Sequence, residues 1–531
     1  MKIKRALISV SDKTGVVELA TYLKSIGCEI ISTGGTMKIL QGNGIDVTEI
    51  SSVTGNPEAF GGRMKTISFN IESALLFDRR KDADEAKNLS IKPIDLVVCN
   101  LYPFEKVYQK NANLNELIEN IDIGGPTMIR AAAKNYKYVS VLTNPNDYAD
   151  FIATQENDEN NIDFRYNLMR KAFTYTALYD ILIAKAMNKD FDTDTLMLAF
   201  DKKKSMRYGE NSHQTAHFYR EKFTDNSLYD FDILHGKALS FNNILDVNSA
   251  LESIYGLDKI ACCVVKHNNP CGLAVSSNPN KAFELAWLGD PVSAFGSIVA
   301  FNTPLSLDTV RFLRLDATNK AERKFIEVII APDFSKDALN YLMQHKNLRI
   351  IRYDVRNLPQ NVDIRYLNGS LLYQDKDNKL YDKMELVTET TWDIENDKDL
   401  IIFGLNAVKM LKSNAIAIVR RYRDSLQLLG MGAGQPNRIV STKLAIQKSI
   451  ENLAKGYFGE DFDEDMRKVF SDAVLISDAF FPFADSIEYV AKFGIKKVIQ
   501  PGGSIKDKRV IKRCNELDIS MIFTGARHFR H

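Results

Sequence analysis

Lys266 and His267 stand side by side where the apolar run 262–265 gives way to Asn268-Asn269-Pro270-Cys271-Gly272. A short buried strand ended by a Pro- and Gly-bearing turn would present both side chains from one loop. A cation next to a base suits acyl transfer, because one group stabilises developing oxyanion charge while the other moves a proton. A histidine at a strand end also serves as a packed structural residue, and spacing alone leaves both roles open.

A second set of candidates lies near the N-terminus. Ser11 and Lys13 in the loop 11–15, and Ser32, Thr33, Gly34, Gly35 and Thr36 in the next, each follow a short apolar run and precede a helical pattern. Backbone N–H groups and hydroxyls at helix N-termini stabilise a phosphate, and Lys13 adds a point charge. Helix capping explains either loop by itself. Two such loops at one edge of one sheet, followed by Gly61-Gly62-Arg63-Met64-Lys65-Thr66, point instead to a phosphorylated small molecule. No histidine precedes His213, so proton transfer here would fall to Lys, Tyr, Asp or Asn. Candidates in loop-like contexts are Lys65, Tyr102, Asp122 ahead of Gly124-Gly125, and Lys134 beside Asn135. Taken singly, each is more often a surface charge or a packed tyrosine than a catalyst.

The elements that must position these residues read as α/β. A strand at 6–10 is followed by a helix with apolar residues at Val16, Leu19, Ala20 and Leu23, stopped by Gly27. A second strand, 29–32, runs into Gly34-Gly35 and another helical stretch, and repeated strand–loop–helix units imply a parallel sheet covered by helices. Further strands are expected at 94–99, 138–142, 262–265 and 298–301. With 531 residues the chain is too long for one hydrophobic core, and two domains, 1–197 and 198–531, are expected. Apolar residues make up 45% and charged residues 26%, which is a globular profile. The 69 basic and 68 acidic residues leave a net charge of +1, so no general field exists to hold nucleic acid or an anionic membrane. The six cysteines form no C-x-x-C pair, and no window approaches the ~18 apolar residues of a membrane span. Reduced thiols in a cytoplasmic protein are the expectation.

Two further motifs fail on inspection. Pro270-Cys271 is similar to the P-C-x-x-C of zinc nucleobase deaminases, but Ala274 stands in place of the second cysteine and no H-x-E occurs. No metal site is therefore expected. Gly432-Ala433-Gly434 follows a strand-like run, yet Pro436 and Asn437 interrupt G-x-G-x-x-G, which argues against a dinucleotide site.

The runs S-V-S-D-K-T-G (9–15), S-T-G-G-T (32–36), G-G-R-M-K-T (61–66), C-N-L-Y-P-F (99–104) and I-D-I-G-G-P-T (121–127) resemble the inosine monophosphate cyclohydrolase domain of the bifunctional purine biosynthesis family. That domain is related to methylglyoxal synthase, a phosphate-binding α/β fold. The resemblance implies that Ser11, Lys13, Ser32, Thr33, Gly34, Gly35, Thr36, Arg63 and Thr66 hold the nucleotide, while Lys65, Asn100, Tyr102, Asp122, Gly124 and Lys134 surround the closing ring. Ring closure needs an activated carboxamide nitrogen, a polarised formyl carbonyl and loss of water, so it requires no metal.

In the second half, R-Y-G-E-N-S-H-Q (207–214), F-N-N-I-L-D (241–246), D-P-V-S-A-F-G (290–296), G-A-G-Q-P-N-R (432–438), D-A-F-F-P-F (478–483), Q-P-G-G-S-I (500–505) and T-G-A-R-H-F-R-H (524–531) resemble the aminoimidazole carboxamide ribonucleotide transformylase of the same family. Its fold is tandem cytidine-deaminase-like α/β subdomains without zinc. By that resemblance Arg207, Tyr208, Gly296, Glu327, Asn414, Arg438 and Arg527 contact the nucleotide, arginines meeting phosphate and carboxamide. Ile439, Phe480 and Ser504 sit by the folate. His267 acts as general base on an amine delocalised into the carboxamide, and Lys266 stabilises the oxyanion formed from the co-substrate 10-formyltetrahydrofolate. The family also implies a homodimer and leaves room for a monovalent cation. Phe480 and Phe481 as plain core, and residues 527–531 as a solvated basic tail, are the structural alternatives.

Two departures stand out. Family members continue from the Lys65-Thr66 position into Leu-His-Pro, whereas this chain has Ile67-Ser68-Phe69 and lacks that histidine and rigid turn. The competing reading is therefore a monofunctional transformylase carrying an N-terminal phosphate-ligand-binding regulatory module. The run 419–424 is also more basic than the family's short turn and is expected to form an exposed hairpin.

Overall fold

A computed structural model describes residues 2–57, 59–60, 64–157, 161–189, 194–455 and 462–531. The chain divides into two compact units, Met1–Ala199 and Phe200–His531.

The first unit is a parallel sheet of β1 (Arg5–Val10), β2 (Glu29–Ser32), β3 (Thr48–Glu49), β4 (Leu96–Asn100) and β5 (Ser140–Leu142) in the order β3-β2-β1-β4-β5, with every neighbour parallel. β4 is buried throughout, as a central strand covered on both faces must be. The helix Val16–Ser25 buries Val16, Leu19, Ala20 and Leu23. It stops at Gly27, whose φ of 76° lets its N–H reach Lys24 O (2.9 Å) while the Cys28 N–H reaches Leu23 O (2.9 Å). Because each strand feeds a helix that returns antiparallel to it, loops following β1, β2 and β4 gather at one edge of the sheet.

The second unit opens with a hairpin of β6 (Phe200–Ser205) and β7 (His217–Glu221). A twelve-stranded mixed sheet follows, built from β8 (Asp232–His235), β9 (Ile260–Lys266), β10 (Asn269–Ser276), β11 (Ser297–Phe301), β12 (Ile326–Ala331), β13 (Arg349–Arg352), β16 (Glu385–Leu386), β17 (Ile416–Tyr422), β18 (Ser425–Gly432), β19 (Val474–Ser477), β20 (Lys497–Gln500) and β21 (Ser520–Phe523). β14 (Val362–Leu367) and β15 (Ser370–Asp375) form a separate two-stranded antiparallel sheet. The sheet consists of two halves with one topology. Helix Phe241–Ile254, β9, β10, helix Pro279–Trp287 and β11 repeat as helix Lys398–Lys409, β17, β18, helix Arg438–Lys455 and β19. The strand orders β10-β9-β11-β12-β13 and β18-β17-β19-β20-β21 match.

The halves join where β10 pairs antiparallel with β18, Ala274 opposite Gln427 and Val275 opposite Leu426. Strand alternation divides β9 between two cores, Cys263 and Val265 on one side, Cys262 and Val264 on the other. The basic run 419–424 forms the tip of the β17–β18 hairpin, where Arg423 and Asp424 are exposed and Arg421 pairs with Asp399 at 2.5 Å. All six cysteines are free and buried. Among the described residues no helix is long and apolar enough to cross a membrane.

Candidate active sites

In the first unit the post-β1 and post-β4 loops are tied together by Asn100. Its Oδ1 accepts from the N–H groups of Ser11 (2.6 Å) and Asp12 (2.7 Å), and its Nδ2 donates to Asp12 O (3.1 Å). The post-β2 loop is tied in through Val10. Thr36 Oγ1 accepts from Val10 N (3.2 Å) and donates to Val10 O (3.1 Å), and Lys13 Nζ donates to the same carbonyl. Burial holds the Lys13 ammonium below the usual lysine pKa, against the pull of Asp12. Thr33, Gly34 and Gly35 form the N-terminus of helix Gly34–Gly42, and the Thr33 side chain does not cap it. A side chain at Gly34 would meet Lys65 Nζ at 3.8 Å, so that lysine stands beside the same helix end. Ser32 is fully buried and its hydroxyl donates to Ile8 O (2.7 Å), inside the sheet. Arg63 lies outside the described residues.

Asp122, Gly124 and Thr66 meet at the N-terminus of helix Gly124–Lys134. The Gly125 N–H donates to Asp122 Oδ1 (2.8 Å). A Cβ on Gly124 would come within 2.7 Å of Thr66 Oγ1, and one on Gly125 within 2.5 Å of Leu101 Cδ2 and 2.7 Å of Asp122 Oδ2. Burial pushes the Asp122 carboxyl up, offset in part by the Gly125 and Tyr102 backbone amides. Tyr102 is half exposed. Gly125→Ala is expected to overpack this corner at a cost of about 1–3 kcal/mol; urea unfolding measures that cost, and ring closure should fall with it.

Within one chain Lys134 lies apart from these residues. It is exposed at the far end of the same helix, about 15 Å along the axis from Gly124 at 1.5 Å per residue. Because that helix runs antiparallel to the strands, Lys134 emerges at the opposite edge of the sheet from Asp122. Two positioning groups were missed: Tyr175 OH accepts from Leu101 N (2.9 Å) and Tyr179 OH from Asp122 N (2.8 Å), both from helix Ile162–Met187.

In the second unit, register collects the candidates. Antiparallel pairing of β10 with β18 aligns the start of β10 with the end of β18, so the turn after Lys266 shares an edge with Gly432-Ala433-Gly434. β9 pairs with β11, and Lys266 Nζ donates to Phe295 O (2.8 Å), next to Gly296 at φ 74°. Glu327 follows Ile326, the partner of Ser297, and accepts from Asn243 Nδ2 at 3.0 Å. On the other side of the seam, Ile416 opposes both Gly432 and Ser477, which brings Asn414, Arg438 and the post-β19 loop to the same edge.

Arg438, 7% exposed, donates to Asp478 Oδ1, to Ser477 Oγ (2.7 Å) and to Asn414 Oδ1 (2.7 Å). Asp478 is fully buried, and its other oxygen accepts from Ser413 Oγ at 2.6 Å. The two phenylalanines divide: Phe481 is fully buried, whereas Phe480 is 37% exposed. Ile439 begins the helix behind Arg438, and Ser504 lies in the post-β20 loop, where its N–H donates to Asp507 Oδ2 (3.0 Å). Arg207 is exposed, with its guanidinium 5.5 Å from the Tyr208 ring centroid. Among the described residues no three His, Cys, Asp or Glu side chains converge as a metal would require.

The model of the AICARFT/IMPCHase bienzyme matches residues 132–448, and that of the MGS-like domain matches residues 15–127. A "Bifunctional purine biosynthesis protein PurH" from Persephonella marina is 43% identical over 544 residues, covering 99% of this chain and 100% of its own. One from Clostridium botulinum is 43% identical over 532 residues, covering 100% of both. The chain belongs to the AICARFT/IMPCHase bienzyme family. It is a bifunctional enzyme of purine biosynthesis, a formyltransferase and a cyclohydrolase, with an MGS-like N-terminal domain. A solved structure described as "Crystal structure of ForH" aligns with 35% of this chain and 100% of its own at 30% identity and a TM-score of 0.31.

The bienzyme's C-terminal tail is not a solvated end. His528 is 2% exposed, with its ring nitrogens 2.7 Å from Asp377 Oδ2 and 2.9 Å from Leu380 O. Arg530 pairs with Glu252 at 3.1 Å, and Lys376 with the same carboxylate at 2.8 Å. Burial alone would raise Glu252, but Lys376 and Arg530 outweigh it and hold the carboxyl below its usual value. A depressed carboxyl contributes stability above its unfolded pKa of about 4.3 and loses it as pH falls through the folded value. Protection factors of the tail amides, exchange rates corrected for their intrinsic pH dependence, should therefore fall on acidification below about 4.3, and Arg530→Met should flatten that dependence. Arg527, beside this anchor, is exposed over the Phe529 ring.

Proposed function

We propose that formyl transfer takes place at the sheet edge holding Lys266, His267, Gly296, Glu327, Asn414 and Arg438, and that ring closure takes place at the parallel-sheet edge of the first unit. The observation that carries the first assignment is the strand register, which puts a base–cation pair and a buried arginine on one edge from two halves of a duplicated sheet. Arg438 and Arg527 meet the nucleotide, Arg207 and Tyr208 extend that surface, and Ile439, Phe480 and Ser504 receive the folate.

His267 takes the proton from the weakly nucleophilic amine as it attacks the formyl carbon of 10-formyltetrahydrofolate, and Lys266 stabilises the oxyanion before tetrahydrofolate leaves. In the first unit, the N–H groups of the Gly34 helix end, with Ser11, Lys13, Thr33, Gly35 and Thr36, hold the phosphate. Lys65, Thr66, Asn100, Tyr102, Asp122 and Gly124 bound the ring, where water is lost. No step requires a metal.

The boundary between the activities falls near residue 198. The second unit is read as tandem deaminase-like subdomains, supported by its repeated topology. The enzyme works in the cytoplasm as a homodimer on small-molecule substrates, apart from nucleic acid and membranes, and the effect of exchanging potassium for sodium reports any monovalent-cation requirement. Incubating the chain with aminoimidazole carboxamide ribonucleotide and 10-formyltetrahydrofolate tests the whole reading. Inosine monophosphate is expected; accumulation of the formylated intermediate would mean that ring closure does not take place at the proposed sheet edge of the first unit.

A further inference from the structure

The turn that carries His267 has an unusual backbone. His267 and Asn268 have φ values of 52° and 60°, the left-handed region, and together make the two-residue connection between β9 and β10. Such turns normally use Gly or Asn-Gly, because a side chain there costs energy unless the surroundings fix it. Here the surroundings are one helix, Phe241–Ile254. Asp246 Oδ1 accepts from the Asn268 N–H at 2.7 Å, and the His267 backbone amide adds to the same carboxylate. With its amide oriented to satisfy both atoms, Asn268 Nδ2 donates to Leu245 O (3.1 Å), Ser249 Oγ (3.1 Å) and Asp246 Oδ1 (3.2 Å). Burial pushes the Asp246 carboxyl up, and the two amides and His267 pull it back.

The same helix holds other parts of the edge. It starts in a capping box between Ser240 and Asn243, which fixes Asn243 so that its Nδ2 reaches Glu327 Oε2 (3.0 Å). Asn242 Nδ2 donates to Glu210 O at 3.3 Å, in the loop that carries Arg207 and Tyr208. Residues 242, 243 and 246 of one helix thus each hold a different segment bearing a candidate substrate contact.

We propose that Asp246 is a positioning residue for formyl transfer, its carboxylate locking the His267–Asn268 turn so that His267 stays in register with Lys266. The inference rests on the assignment of His267 as the base. Displacing a reacting group by about 1 Å costs on the order of 10²-fold in rate, so Asp246→Ala in the full-length chain should lower kcat for formyl transfer by about that factor. KM for the nucleotide and ring closure from the formylated intermediate should stay near the parent values. Asp246→Asn keeps an acceptor for the Asn268 amide and should restore most of the rate. Asp246→Ser, too short to reach that amide, replaces the alanine variant if the latter does not accumulate folded.

His267→Ala is assayed in parallel. If it retains transfer, the base assignment fails; if it is inactive while Asp246→Ala or Asp246→Ser transfers at the parent rate, the positioning role alone is overturned. Asp246→Asn as impaired as the alanine variant would also overturn it, since the acceptor would then not be what matters.

Discussion

His267→Ala should abolish formyl transfer while leaving ring closure intact. Removing a general base typically costs 10²–10⁴-fold, and the aromatic amine attacked here is poorly nucleophilic, so a loss toward the upper end, about 10⁴-fold, is expected. The chain forms two compact units, and with the activities assigned to them as proposed, ring closure from supplied formylated nucleotide controls for enzyme concentration, while urea unfolding reports the fold around His267. Rapid-quench assays of formyl transfer at saturating substrate, with product resolved by chromatography, measure the effect. Lys266→Met should lose less, since Lys266 is held by Phe295 O and contributes charge rather than proton transfer. Transfer within a few-fold of the parent in His267→Ala would remove this residue from the chemistry.

The second large effect is expected at Asp478. Its carboxylate is fully buried and pairs with Arg438, which is 7% exposed. Truncating one partner leaves a guanidinium without a counter-charge away from water, a situation that costs about 3–5 kcal/mol. Asp478→Ala should therefore lower the unfolding free energy of the second unit by about that amount in urea titrations. Formyl transfer should fall too, because Arg438 also anchors the Asn414 carboxamide at 2.7 Å. Replacing both partners, Asp478→Leu with Arg438→Met, should recover much of the stability and none of the activity. A loss in Asp478→Ala below about 1 kcal/mol, the scale of an exposed pair, would show that water reaches the site.

Much of the scaffold was legible because short apolar runs bounded by turn residues leave little choice of element. The expected strands 6–10, 29–32, 94–99 and 138–142 correspond to β1, β2, β4 and β5 within two residues at either end. β3 was not legible: two residues, Thr48–Glu49, at a sheet edge carry no periodicity. Spacing did not tell which candidates one chain brings together: Asp122 and Lys134 stand at opposite ends of helix Gly124–Lys134. Asp246 closes the run F-N-N-I-L-D and Asp478 opens D-A-F-F-P-F, yet neither received a role from the sequence. An Asp directly after a short strand that is buried throughout needs a cation, and Arg438 is the cation it pairs with.

The β10–β18 pairing has one more consequence. A chain severed between the halves, near residue 390, would expose two long strands, Asn269–Ser276 and Ser425–Gly432, whose side chains are almost wholly buried in the intact sheet. Such bare apolar edges template self-association. Each fragment made alone should precipitate, and the two made together should zip into one continuous lattice of main-chain hydrogen bonds.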